Sequence, residues 1–458
     1  MVRSFVWKGI VEGFYGRPWA HEERLDMMAF MSEIGMNAYM YAPKDDPYHR
    51  ENWRKPYPAR KLDSLRELAS HAASHGVSFV FAVSPGISVR YSDKRDMDAF
   101  MQKLKALYGA GVRDFAILYD DIPDVLSNED DRKAFPDLVS AQVAFANSVL
   151  KQLKRWSDET TLMVCPTQYH GDYNTEYVLG IGAGLSKDID IMWTGPDVCS
   201  RELSYEYTKS VSAALMRPPV YWDNYPVNDA AMKGELHIGP YTGRDPRLPQ
   251  VSRGFFLNPM NQAEASKIAL GAAASYLRNP EGYDPQAAWE TAAARVVGED
   301  ALEAVTLFAD ACAISPLHPE EPPMLKETVG RAVRRAKEDF KEGAGILSAH
   351  MLKMQASAEL LRTNPNSKFA EEISPWLEEY VKWSDIGLHI AETIEKSGAY
   401  LASGLGSTGR CGFSLHMLPV ASAKFKLSRM MSRAVNFKTR VCGDVLLQLG
   451  RDLLRVLQ

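Results

Sequence analysis

Val112-Arg113-Asp114-Phe115-Ala116-Ile117-Leu118-Tyr119-Asp120-Asp121-Ile122-Pro123 is an apolar run that ends abruptly in two adjacent carboxylates. Gly109 and Gly111 precede it and Pro123 closes it, so it reads as a buried parallel strand. Carboxylates at the mouth of such a strand need a reason to be there. Neighbouring Cα atoms lie about 3.8 Å apart. Two acids turned into one pocket would therefore push their pKa values apart, leaving one acid proton beside one carboxylate near neutral pH. Strand alternation offers the opposite placement, with Asp121 solvated or capping the next helix, because Asp-Asp pairs are also ordinary turn chemistry.

The same strand, loop and helix period repeats on both sides of this stretch. Residues 5–12 read as a strand closing on Gly13-Phe14-Tyr15-Gly16, and 21–35 carry Leu25, Met28, Met31 and Ile34 at helical spacing. Strand 37–42 ends at Pro43-Lys44-Asp45-Asp46-Pro47, followed by a helix over 62–75; strand 77–83 ends at Ser84-Pro85-Gly86, followed by a helix over 97–107. Beyond the Asp-Asp strand come a helix over 138–156 and strands over 161–167, 189–193, 220–222 and 254–257. These end at Gln168-Tyr169, Thr194-Gly195-Pro196, Asp223-Asn224-Tyr225-Pro226 and Asn258-Pro259. About eight strands alternating with helices over roughly 280 residues predict an α/β chain built as a (β/α)8 TIM barrel. A doubly wound open sheet fits less well, because no GxGxxG follows any strand and the units outnumber the usual five or six.

Barrels of this class place their active sites at the C-terminal strand ends. Gly13, Tyr15, Lys44, Asp120, Asp121, Tyr169, Thr194, Trp222, Asn224, Asp229 and Asn258 all fall at or just past predicted strand ends. Paired carboxylates among rings and amides suggest sugar chemistry, since pyranose faces stack on aromatics and hydroxyls need fixed partners. Trp222 and Tyr15 would supply rings, and Lys44, Asn224, Asp229 and Asn258 would read hydroxyls. Plainer roles stay open: Trp222 as barrel packing, Lys44 paired with Asp45 or Asp46 on the surface, Asn258 as the start of the last barrel helix. His49, His170 and His237 read as polar loop residues, because neither HExxH nor HxH spacing accompanies them, and no metal site or cofactor is expected.

Composition bounds the partners. With 458 residues, 46% hydrophobic and 24% charged, the chain can bury a large core and fill two or more domains. A net charge of -5 gives no electrostatic footprint for nucleic acid or an anionic membrane. Cys165, Cys199, Cys312, Cys411 and Cys442 are odd in number, widely spaced and without CxxC, which argues against a disulfide framework or a zinc site and for reduced thiols. No apolar h-region opens the chain and no apolar run reaches about 18 residues, so a soluble, cytoplasmic protein is expected.

Several motifs in order carry a resemblance over about 270 residues: Glu12-Gly13-Phe14-Tyr15-Gly16, Ala42-Pro43-Lys44-Asp45-Asp46-Pro47-Tyr48, Tyr119-Asp120-Asp121-Ile122, Pro166-Thr167-Gln168-Tyr169, Met192-Trp193-Thr194-Gly195-Pro196, Trp222-Asp223-Asn224-Tyr225-Pro226 and Asn258-Pro259-Met260. Together they resemble glycoside hydrolase family 84, the O-GlcNAc hydrolases and hyaluronidase-like β-N-acetylglucosaminidases. The resemblance implies a retaining mechanism in which the substrate's 2-acetamido oxygen attacks the anomeric carbon to form an oxazoline. Asp120 would hold the acetamido N–H, and Asp121 would protonate the departing oxygen and then deprotonate water. Tyr169 would bond near the acetamido oxygen. Thr194, Val198 and Trp222 would wall the methyl pocket with Asn224 beside it, and Gly13, Lys44, Asp229 and Asn258 would fix hydroxyls. The partner implied is a GlcNAc-bearing glycoprotein, glycopeptide or glycan. Exo-hydrolysis of oligosaccharides or glycosaminoglycan fragments, and a non-catalytic GlcNAc-binding protein, remain the alternatives. Beginning on the first barrel strand, the chain is expected to lack the N-terminal α/β domain, carbohydrate-binding repeats and acetyltransferase-like domain of longer relatives, which weakens a secreted role.

From residue 285 the strand pattern stops. Helical segments over 288–297 and 303–314 precede a Pro-rich break over 315–323. Phe369, Ile373, Trp376, Tyr380, Trp383, Gly387, Ala391 and Ile394 then form one helical stripe. Residues 1–284 are thus expected to form the catalytic barrel and 285–458 a helical bundle, broken by Gly404-Leu405-Gly406-Ser407-Thr408-Gly409-Arg410 before a last helix. Core packing is the expected fate of Trp376 and Trp383. In relatives these helices border the substrate groove and can form a dimer interface, so a homodimer is allowed.

Overall fold

The computed structural model describes residues 4–402 and 418–457, and the glycine-rich break over 404–410 lies outside them. Eight strands, β1 (Trp7–Glu12), β2 (Ala38–Tyr41), β3 (Ser78–Val83), β4 (Asp114–Leu118), β5 (Thr161–Cys165), β6 (Ile189–Trp193), β7 (Val220–Asp223) and β8 (Gly254–Leu257), close into one barrel in sequence order. Every pairing is parallel, and the ring shuts where β1 meets β8 in the register Trp7↔Gly254 to Ile10↔Leu257. The barrel is the (β/α)8 fold the strand count predicts. Several strands are shorter than the hydrophobic pattern suggests, β2 and β3 by one or two residues at their ends. β5 stops at Cys165 because Pro166 has no N–H to donate to a ladder, and Phe5, although buried against the Phe255 ring, precedes the first paired residue of β1.

The barrel interior is filled by alternate strand residues: Val11 from β1, Met40 from β2, Val80 and Ala82 from β3, Ala116 and Leu118 from β4, Met163 from β5, Met192 from β6, Trp222 from β7 and Phe256 from β8. Their neighbours face a helical layer made by α1 (His21–Glu33), α2 (Ala59–Ser74), α3 (Lys94–Gly109), α4 (Glu129–Ala134), α5 (Leu138–Lys154), α6 (Glu176–Gly184), α7 (Tyr205–Ala214) and α8 (Ala263–Arg278). The helix starts are chemically marked. Asp93, Asp137, Thr175 and Ser204 each accept a backbone N–H of the first turn they cap.

The chain divides into two units, the first comprising residues 1–230 and 240–288, the second 231–239 and 289–458. The second unit is helical: α9 (Pro285–Val297) leads into it, followed by α10 (Leu302–Ala311), α11 (Pro323–Ala336), α12 (Phe340–Arg362), α13 (Ser367–Ala402), α14 (Leu418–Ala434) and α15 (Val445–Val456). Of the α13 stripe, Phe369, Ile373, Trp376, Tyr380, Trp383, Gly387 and Ala391 are buried, while Ile394 is only partly so. The Trp376 indole donates to the Gly234 carbonyl at 2.9 Å and Trp383 packs edge-on against Phe437, so both tryptophans serve packing within this unit.

Candidate active site

Period-two alternation carries the barrel interior directly into the site. Two residues beyond the interior positions Val11, Ala42, Leu118, Met192, Trp222 and Phe256 stand Gly13, Lys44, Asp120, Thr194, Asn224 and Asn258. All six reach one cavity of about 200 Å³ at the C-terminal strand ends. Tyr15, Asp121, Tyr169, Val198, Trp222 and Asp229 line the same cavity, so every residue singled out in the sequence arrives there. A larger cavity, of about 670 Å³, lies around the N-terminal strand ends with Ser4, Phe5, Pro246 and Arg278 in its wall and no carboxylate pair.

Alternation alone would turn Asp121 away from Asp120. The backbone prevents this: Asp121 adopts φ 53°, in the left-handed region that Asp tolerates better than most residues. Both acids consequently line the cavity, Asp120 buried and Asp121 exposed.

Their surroundings differ. Asp120 Oδ2 accepts from Lys44 Nζ at 2.6 Å, with the two side chains only 9% and 3% exposed. Burial pushes the Asp120 carboxyl up, but the Lys44 ammonium, aided by Arg50 and His49, outweighs it and holds the acid below the usual carboxylate range. A cation, rather than the neighbouring carboxylate, keeps Asp120 ionised. Burial likewise pulls Lys44 down, and Asp120 more than reverses that. The surface pairing with Asp45 or Asp46 left open for Lys44 is not found: Asp45 is exposed, and Asp46 accepts from Tyr41 and Tyr57, each at 2.8 Å. Asp120 Oδ1 is buried without a partner. Asp121 faces hydroxyls instead, accepting from Tyr15 at 2.6 Å and from Tyr169 at 3.3 Å, with Lys44 Nζ 3.9 Å away.

A ladder of amides fixes the opposite wall. The Gly13 N–H donates to Asn258 Oδ1 at 3.3 Å, Asn258 Nδ2 donates to Asn224 Oδ1 at 2.9 Å, and Asn224 Nδ2 donates to the Val198 carbonyl at 2.7 Å. The Trp222 indole N–H also donates to Asn224 Oδ1, at 3.0 Å. Asn258 is therefore a wall residue; α8 begins only at Ala263. Trp222 is both packing and wall, buried in the barrel core while lining the cavity. Gly13 has to be glycine, because a Cβ there would stand 2.4 Å from Trp222 Cζ2. Asp229 Oδ2 accepts the Tyr15 backbone N–H at 2.7 Å, and Thr194 donates to the Asp197 carbonyl at 2.9 Å.

Five supporting residues had no signal in the sequence pattern. Arg244 forks onto Asp223 at 2.9 and 2.6 Å and reaches the Ser200 and Arg201 carbonyls, tying the end of β7 to the loop that carries Val198. Arg24 forks onto Glu12, one residue before Gly13, at 2.8 and 2.7 Å. Cys165 and Cys199 line the cavity, and Arg50 stands behind Tyr15. All three histidines lie in loops, as expected, but they differ in burial. His49 is fully buried, its Nδ1 2.7 Å from the Ala82 carbonyl, and burial pushes it down to about 4; His237 is buried beside Glu235 in the second unit; His170 is exposed. Among the described residues no group of three His, Cys, Asp or Glu could hold a metal ion, and no helix is long and apolar enough to cross a membrane.

The beta-N-acetylglucosaminidase family model matches residues 8–310. The chain belongs to this family. It is 34% identical over 277 residues to the protein O-GlcNAcases of Rattus norvegicus and Mus musculus, a stretch that is 59% of this chain and 30% of each mammalian protein. The chain thus spans less than a third of the length of those relatives. Among solved structures it is similar to an Asp-to-Asn variant of the Thermobaculum terrenum O-GlcNAc hydrolase, with 40% identity, a TM-score of 0.91 and coverage of 99% of this chain and 95% of that one. A structure named CpGH84B gives 30% identity and a TM-score of 0.85, covering 98% and 77%.

Proposed function

We propose that the protein is a retaining β-N-acetylglucosaminidase that removes O-GlcNAc from Ser or Thr of proteins through an oxazoline formed by the substrate's own acetamido group. One observation carries the reading. Asp120 is a buried carboxylate with one oxygen committed to Lys44 and the other, Oδ1, without a partner in a cavity of about 200 Å³. An acetamido N–H is the donor that such an acceptor needs, and holding it stabilises the charge that develops as the carbonyl oxygen attacks the anomeric carbon. The depressed Asp120 pKa keeps that acceptor ionised.

Asp121, at the exposed edge, donates a proton to the departing serine or threonine oxygen and recovers one from water in the second step. Tyr169 lies against the acetamido oxygen; Thr194, Val198, Trp222 and Asn224 enclose its methyl; Gly13, Lys44, Asp229 and Asn258 fix hydroxyls. A 2-hydroxy sugar can offer Asp120 an O–H but brings no acetamido carbonyl to attack the anomeric carbon and no methyl to fill the pocket, so it should not be turned over. The protein substrate is supported by the names of the O-GlcNAcase and O-GlcNAc hydrolase relatives. A cytoplasmic setting belongs to the same proposal, supported by Cys165, Cys199, Cys312 and Cys442 all being free thiols. So does a homodimer, supported by the exposed Phe425, Val435 and Val456 of the second unit.

The test is release of aryl aglycone from β-GlcNAc, β-GalNAc and β-glucose glycosides by wild type and Asp120→Asn. Cleavage of the GlcNAc glycoside alone, with a loss of roughly 10²–10³ in kcat for the variant, is expected. Comparable glucosidase activity, or an unimpaired variant, would refute it.

A further inference from the structure

Arg50 lies in the loop after β2; beyond its contribution to the field at Asp120, its contact with Tyr15 is not used by the roles above. Its Nη1 donates to the Tyr15 hydroxyl at 3.0 Å, and that hydroxyl in turn donates to Asp121 Oδ2 at 2.6 Å. The guanidinium carbon also stands 6.0 Å from the Tyr15 ring centroid, with Lys44 Nζ 5.4 Å from it, so two cations lie over the phenol ring. Arg50 Nε is buried and makes no hydrogen bond, so this guanidinium is held by Tyr15 rather than by a carboxylate fork of its own.

The chemistry of a phenol explains what such an arrangement does. A tyrosine oxygen has one hydrogen to give and lone pairs to receive. When an arginine N–H occupies the lone pairs, the O–H is directed along the remaining hydrogen-bond direction, here at Asp121. Arginine cannot deprotonate in a protein, so it never accepts and the relay runs one way.

We infer that Arg50 is a positioning residue for the acid-base step, holding the Tyr15 O–H on Asp121 and so favouring the carboxylate form that must take a proton from water. This rests on the reading of Asp121 as the proton donor and acceptor. Asp121 alternates between acid and carboxylate in the two steps, and a donor aimed at its oxygen stabilises only the carboxylate. The groups facing Asp121 are Tyr15 from the β1 loop, Lys44 and Arg50 from the β2 loop, Asp120 beside it, and Cys165 and Tyr169 from the end of β5. Only Arg50 combines a fixed charge with a grip on one of the two hydroxyls.

The experiment is the pH profile of kcat/KM on a β-GlcNAc aryl glycoside with a poor leaving group, for wild type, Arg50→Met, Arg50→Lys and Asp121→Asn, alongside kcat on an activated glycoside. Arg50→Met should move the basic limb up by about half a pH unit or more, because the acid form loses its proton less readily without the cation. It should also lower kcat on the activated substrate several-fold, where the water step limits. Arg50→Lys should restore most of the limb and little of kcat, keeping the charge without the rigidly placed Nη1 donor to Tyr15. An unmoved limb in Arg50→Met, with Asp121→Asn still losing poor leaving groups preferentially, overturns the inference alone. Equal losses on both substrates in Asp121→Asn overturn the reading it rests on.

Discussion

Replacing Lys44 by Met is the sharpest probe of the electrostatics, because it removes the cation and nearly preserves the volume. Two unit charges 2.6 Å apart attract by about 6 kcal/mol at an effective dielectric of about 20. Much of that offsets the desolvation of both groups, and removing one partner of a buried pair costs about 3–5 kcal/mol. The cost should depend on pH, and the sign is fixed by Asp120. In wild type its folded pKa lies below the unfolded value of about 3.9, so its contribution is complete above that value and is lost as pH falls through the folded pKa. In Lys44→Met burial dominates and the carboxyl is pushed above its unfolded value. Such an acid destabilises the fold at high pH and ceases to do so as pH falls toward about 4. The variant's deficit should therefore be largest at pH 8 and narrow by more than about 1 kcal/mol by pH 5, one pKa unit being worth about 1.4 kcal/mol. Urea midpoints of the two proteins at several pH values read this, compared as differences because two units need not unfold together. The acid limb of kcat/KM should rise by about two pH units or more as Asp120 becomes protonated in the working range. A deficit equal at pH 5 and pH 8, with an unmoved limb, would refute the assignment of Lys44 as the charge that keeps Asp120 ionised.

Two further substitutions test the walls. Gly13→Ala puts a methyl 2.4 Å from the Trp222 ring, so one of them must shift at an expected cost of about 1–3 kcal/mol; KM for a GlcNAc aryl glycoside should rise at least about tenfold, and an unchanged KM would show that the ring does not shape the pocket. Arg244→Met leaves the buried Asp223 without its cation, held by the Tyr241 hydroxyl, and removes the donors to the Ser200 and Arg201 carbonyls, so a loss of about 3–5 kcal/mol is expected in thermal unfolding, with Arg244→Lys recovering little because the bidentate fork is lost; full rescue by Lys would argue for charge alone.

The barrel was legible because its strands are short, apolar and bounded by Gly, Pro and polar clusters, and because chemistry-bearing residues cluster at one end of each. What escaped was set by tertiary contact. α6 reads Glu-Tyr-Val-Leu-Gly-Ile-Gly-Ala-Gly, poor in helix formers, yet it is helical because Gly180 and Gly184 let it lie against Val139 and Val143 of α5. Lys44 gave no hint of burial, since its partner Asp120 is far away in sequence. Arg50, Arg24 and Arg244 are ordinary charged residues until the fold brings each beside a site residue or the carboxylate preceding one, and His49 looks like loop chemistry until the β3 carbonyl of Ala82 covers it.

The two acids sharpen the point about alternation. At β1 and β7 the residue facing the helices at the strand end is a carboxylate held by arginine, Glu12 by Arg24 and Asp223 by Arg244, while the next residue turns into the cavity. At β4 the helix-facing residue is Tyr119, fully buried, so Asp120 is the next inward residue by the same rule. Asp121 would then be the outward residue with no arginine waiting for it. Its left-handed backbone breaks the rule, at a cost the surrounding structure must over-determine. Tyr15, Tyr169 and Lys44 reach it from three other strand ends and do so. A doublet of acids at a barrel rim thus becomes two different groups, a buried carboxylate paired with Lys44 and an exposed one ringed by the Tyr15 and Tyr169 hydroxyls, through one backbone dihedral rather than through any difference in residue type.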